Sequence, residues 1–141
     1  MHLIVSTVVL GLLGTACSGN VFDLAVGDCF DDGDMSVEGI EEVGEVPMVE
    51  CSEPHDNEVY AVVTVEGERF PGEVAIQTEA DEVCLDAFSG FVGLDYQTSV
   101  LDFGWLVPTA ETWEVGDRVV ACFIYRVDLE KVTGTLHGTG I

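Results

Sequence analysis

The chain is 141 residues long and carries 27 acidic against 4 basic residues, a formal net charge of −23. That balance repels polyphosphate backbones and anionic lipid headgroups, which excludes nucleic acid as a partner and a basic patch as a membrane tie. The length suits one domain with one modest hydrophobic core.

Residues 1–16, MHLIVSTVVLGLLGTA, contain no Asp, Glu, Lys or Arg and end in small residues before Cys17. Their apolar core is too short for a bilayer span of about 20 residues. It fits the roughly 7–15 apolar residues of an export signal. The run Leu13-Gly14-Thr15-Ala16-Cys17 resembles a bacterial lipobox, with Gly14 where an aliphatic residue is usual and His2 standing in for a basic n-region. The expected organisation is a signal peptide at 1–16, a lipid-anchored tether at 17–24 built on small polar residues, and a domain at 25–141. The chain is then expected at the outer face of the cell membrane, or secreted if it is not acylated.

Assigning Cys17 to lipid leaves Cys29, Cys51, Cys84 and Cys122 from the five cysteines, an even set. In an oxidising compartment these are expected to pair, each bridge adding about 2–4 kcal/mol. Three connectivities are open. The favoured one is Cys29–Cys51, which flanks an acidic loop, with Cys84–Cys122, which ties a helix to a late strand. No two of these cysteines have the spacing of a zinc knuckle, so neither a metal nor another cofactor is expected.

A short strand is expected around Cys29, followed by an acidic, glycine-bearing loop at 31–45. Strands at 46–51 and 58–65 flank the turn Ser52-Glu53-Pro54-His55-Asp56-Asn57 and are expected to form a hairpin. Ile76, Ala80, Val83, Cys84, Ala87, Phe88 and Phe91 fall on one helical stripe, which predicts a helix over about 72–90 that ends at Gly90 or Gly93. Residues 98–107 read as a strand stopped by Pro108, and 108–112 as a loop leading to Trp113. Residues 118–127 are apolar on both faces, as a central strand should be. Residues 133–136 are expected to supply a last edge strand. The order predicts an α+β fold, a mainly antiparallel sheet with one packed helix, stapled by disulfides.

Candidate functional residues are few. His55, with Asp56 and Glu58 beside it, could hold a ligand or metal from its turn, although no second histidine stands at ligand spacing. The acids that begin at Asp31 lack the glycine of a calcium loop, Ser36 occupying that place. There is no Gly-x-Ser-x-Gly, and bonded cysteines offer no nucleophile, so no catalytic residue is assigned. Trp105 and Trp113 could form a ligand-facing surface, of which Trp113 is taken as the binding candidate, and the alternative is that both belong to the core, as aromatic residues beside strands more often do.

The joint order of Gly27-Asp28-Cys29, Cys51-Ser52-Glu53-Pro54-His55-Asp56-Asn57-Glu58-Val59, Phe70-Pro71-Gly72, Cys84, Pro108-Thr109, Trp113, Gly116-Asp117-Arg118, Cys122 and Thr133-Gly134-Thr135-Leu136 resembles the actinobacterial septum-formation family. The resemblance implies an exported lipoprotein or membrane-tethered domain, a link to septum formation, and no established activity. The expected function is therefore a non-enzymatic envelope module. It would be lipid-anchored at Cys17 and would bind a protein or cell-wall component, with His55, Glu58 and Trp113 as candidate binding residues. The alternative is a small metal-dependent hydrolase that uses His55, Glu58 and acids of the 31–45 loop.

Overall fold

The computed structural model describes residues 18–33 and 45–141. The expected signal peptide, Cys17 and most of the acidic loop, 34–44, lie outside these residues. Strand β6 (Val119–Arg126) organises the fold, because the residues that make it apolar on both sides serve two separate cores. Val120, Cys122 and Ile124 join the core under the helix, whereas Ala121 and Phe123 belong to the packing on the opposite face of the sheet.

Antiparallel neighbours flank β6 on both sides: β4 (Asn57–Thr64) and β5 (Leu101–Leu106). Strand β2 (Cys29–Phe30) lies between β4 and β3 (Glu45–Val49), and β1 (Ser18–Asn20) adds to the other side of β3. The order is β1-β3-β2-β4-β6-β5. The fold is thus α+β and antiparallel, as expected.

The expected hairpin between β3 and β4 is not formed. Cys29 faces Val49 on one side and Glu58 on the other, so the turn must carry the chain across two strand spacings, not one. Residues 18–20, expected to lie in a loose tether, pair with β3 in the register Ser18↔Pro47 to Asn20↔Glu45. A ladder needs only backbone donors and acceptors, which small polar residues supply as well as any.

Helix α1 (Glu73–Val92) packs on the sheet through Ile76, Ala80, Cys84, Phe88 and Val92, a stripe with a strict spacing of four. It ends at Gly93, the later of the two expected stops, whose φ of 84° is left-handed and whose N–H donates to Ser89 O at 2.9 Å. The disulfide Cys84–Cys122 joins the middle of α1 to the middle of β6. A bulge in β4 aids the same contact, since Val59 faces Phe123 and Ala61 faces Cys122, which leaves Tyr60 as the extra residue. The Tyr60 hydroxyl donates to Cys84 O at 2.7 Å inside the core, and burial raises its pKa above the ordinary tyrosine value. Among the described residues no helix is long and apolar enough to cross a membrane.

The other two departures are local. Residues 108–112 were expected to be a loop, but Ala110–Glu114 forms a short helix, α2. Thr109 Oγ1 accepts from Thr112 N–H at 3.2 Å, and Thr112 Oγ1 accepts from Thr109 N–H at 2.9 Å. This is a capping box with threonine where glutamate or glutamine is usual. The edge strand expected at 133–136 is absent. Gly134, with φ 86°, breaks the extended conformation, and the only β-bridge there is His55↔Val132.

On the face away from α1, Leu24, Phe30, Val46, Val59 and Ala121 form a second buried cluster. Phe123 reaches over Gly104, its register partner in β5, so closely that a Cβ there would lie 2.5 Å from the ring Cζ. Along the outer side of β5, Leu101 N–H donates to Ser99 Oγ (3.0 Å) and Phe103 N–H to Asp102 Oδ1 (2.8 Å). Donors satisfied locally and a carboxylate on the edge discourage addition of another strand. Gly104→Ala should displace the Phe123 ring and lower stability by about 1–3 kcal/mol in a denaturant titration. An unchanged midpoint would show that the ring is not pinned there.

Candidate functional site

Glu58 is the second residue of β4, and its register partner Ile124 belongs to the core under α1. A carboxylate so placed, only 1% exposed, is costly unless its lone pairs are taken by strong donors. They are: Thr135 Oγ1 donates to Oε1 at 2.6 Å, and Leu136 N–H donates to Oε2 at 2.6 Å. Hydrogen bonds to an ionised group are the strong ones. Leu136 meanwhile buries its side chain in the main core, so one residue supplies both an apolar plug and a backbone donor.

The turn before β4 fixes the same segment. His55 N–H donates to Val132 O and Val132 N–H to His55 O, both at 2.9 Å, and Gly134 N–H donates to Cys51 O at 2.6 Å. The His55 side chain is fully buried, with Nδ1 2.8 Å from Glu53 O. A carbonyl can only accept, so Nδ1 carries the proton, and in the neutral ring Nε2 holds a lone pair. That Nε2 is buried and has no hydrogen-bond partner among the described residues. Cys29, bonded to Cys51 by the first disulfide, completes the corner. Ligand-type atoms of Cys29, His55 and Glu58 all lie within 4.8 Å of one another.

His55 and Glu58 are therefore brought together, but not as a surface. Both side chains point inward, because the residues around their turn bond to the chain's last ten residues. Trp113 stands apart and is only 3% exposed. It packs edge-on against Phe70 and lies under the Arg118 guanidinium, 3.8 Å from the ring centroid. All three candidate binding residues are buried. Each satisfies its polar atoms or its ring within the protein, apart from His55 Nε2. The partners that the sequence reading missed are Thr135 and Leu136, which stand 77 and 78 residues from Glu58. Their only sequence signal is a short Thr-Gly-Thr-Leu run, which also fits an edge strand.

At the solvent side of this corner the acidic loop begins. Lys131, the chain's single lysine, reaches Asp31 at 2.6 Å and Asp56 at 3.3 Å. Its pKa is raised, chiefly by the hydrogen bond to Asp31. Asp56 and Asp32 further accept backbone and side-chain donors across the pair of turns: Asp32 N–H donates to Asp56 Oδ2 at 3.1 Å and Asn57 Nδ2 to Asp32 Oδ1 at 2.7 Å. These acids are thus organised by donors of the chain itself. For the hydrolase alternative, both Glu58 oxygens already accept a hydrogen bond from the chain, and the Asp31 and Asp56 carboxylates are paired with Lys131.

A family model described as septum formation matches residues 17–122. No curated protein and no solved structure matches the chain. The matched stretch contains Cys29, Cys51, His55, Glu58, Cys84 and Cys122 and ends before the segment that closes over Glu58.

Glu58→Gln leaves one acceptor oxygen for two donors. It should cost about 1–3 kcal/mol and accelerate amide exchange at 132–141. Exchange there at the native rate would show that the segment is held by other contacts.

Proposed function

We propose a role that starts from what the chain is: it belongs to the septum-formation family. On that premise the chain is an extracytoplasmic module, held at the outer face of the membrane by lipid on Cys17. It acts without catalysis, by binding a protein or cell-wall component at the site of division. The observation that carries this reading is the inward commitment of the His55–Glu58 corner: the Glu58 carboxylate and the His55 backbone hold the chain's own last segment, and the His55 ring is buried against Glu53 O. Two disulfides fit an oxidising compartment. The family is not a known enzyme family, which agrees with a binding role. With 27 acidic residues, the surface would favour partners that bring positive charge, by long-range attraction.

The anchor and the role are tested on the full chain in its native host. Cys17→Ala should abolish fatty-acid labelling and move the protein from the membrane to the soluble fraction, with the domain still folded. Cross-linking of the wild type should recover a specific septal or wall partner. A labelled Cys17→Ala protein would refute the anchor. Loss of the gene without any division or envelope defect would refute the septal role.

A further inference from the structure

His55 is held in the manner of a metal-ligating histidine. Histidines that bind metals usually donate the second ring N–H to a carbonyl or carboxylate, which fixes the tautomer and aims the other nitrogen. Here Nδ1 is held by Glu53 O, and the unpartnered Nε2 lies in a buried corner. Glu58 is oriented in the same manner by Thr135 and Leu136, and neither bond prevents an oxygen from ligating through a remaining lone pair. The third group within 4.8 Å is Cys29, whose sulfur is bonded to Cys51 and is a poor ligand in that state.

We propose that reduction of Cys29–Cys51 converts this corner into a zinc-type metal site formed by the Cys29 thiolate, His55 Nε2 and a Glu58 carboxylate oxygen. One sulfur, one imidazole and one carboxylate form a donor set that suits zinc, and the fourth tetrahedral position is open to Cys51 or to water. The disulfide and the ion are then alternative staples for one corner of the fold. Cys29 is 1% exposed and Cys51 half-buried, so an envelope dithiol reaches the Cys51 sulfur first. Its thiolate attacks Cys51 Sγ and expels Cys29 as a thiolate, forming a mixed disulfide. The reductant's second thiolate then attacks its own bonded sulfur and releases Cys51. Two electrons pass to the cysteine pair, the reductant departs as a disulfide, and its two protons end on Cys51 and Cys29. Metal binding displaces the proton from Cys29. The segment over the corner, which carries the exposed Thr135, is the route of entry.

The test uses the full chain with Cys17→Ser, which removes the anchor thiol, and cobalt(II) as a spectroscopic stand-in for zinc. Adding Cys51→Ser frees Cys29 while the Cys84–Cys122 bridge stays closed. This variant should bind one cobalt with thiolate-to-metal charge-transfer absorption. Zinc should displace that cobalt, and a further His55→Ala should weaken binding at least roughly tenfold. The protein with both disulfides closed should show no such band. Absence of the band in a folded Cys51→Ser protein, or its persistence after His55→Ala, would overturn the proposal. Should Cys51→Ser not fold, the Cys17→Ser protein reduced by a phosphine provides the second measurement. Zinc should slow alkylation of Cys29 but not of Cys84 or Cys122. Equal protection of all three, or none at Cys29, would refute the site.

Discussion

A carboxylate that faces a hydrophobic core must be answered by donors, and the answer to Glu58 shapes this end of the molecule. Its two hydrogen bonds come from Thr135 and Leu136, so the chain must return from β6 to the start of β4 before the core is closed. The return also places Leu136 among the apolar residues under α1 and lets Val132 bridge to His55. From there Gly138 N–H bonds to Phe91 O and Gly140 N–H to Val92 O. The last segment thereby links the turn before β4 to the C-terminal end of the helix. Without the charge on Glu58 the same path would rest on the Leu136 plug and a few backbone bonds.

The two disulfides divide the rest of the work. Cys84–Cys122 crosses the main core from helix to central strand, where Tyr60 and its bulge shape the surrounding packing. Cys29–Cys51 pins the two-residue strand β2 beside the turn that carries His55. So short a strand has little pairing energy of its own, and the covalent tie holds it between β3 and β4. Redox state therefore bears on the two halves of the molecule differently: one bridge secures a packed core, the other a corner already rich in polar groups.

Much of this architecture was legible in the sequence. The spacing of Ile76, Ala80, Cys84 and Phe88 marks a helix because burial on one side is all that a packed helix requires. The two-sided apolar run around Cys122 marks an interior strand for the corresponding reason. The disulfides found are the connectivity favoured among three, one pair flanking the acidic loop and the other tying the helix to a late strand. What was not legible depends on backbone bonds that carry no composition signal: the insertion of β2 between its neighbours, the ladder at Ser18–Asn20, and the box of two threonines that starts α2. His55 and Glu58 were singled out for their chemistry, yet their inward orientation depends on partners more than seventy residues away. For Trp113 the core alternative, not the ligand-facing one, is what the fold adopts. Its burial depends on Phe70 and Arg118, which only the folded chain brings to it.

The central claim is that the polar residues of the Pro-His turn serve the interior of the domain and are not displayed at its surface. His55 and His137 provide an internal comparison, since His55 is fully buried and His137 is exposed. Acylation of the native, disulfide-bonded protein with diethyl pyrocarbonate, mapped by mass spectrometry, measures the difference directly. The account predicts rapid modification of His137 and protection of His55 until the protein unfolds; modification of both at comparable rates in the folded protein would contradict it.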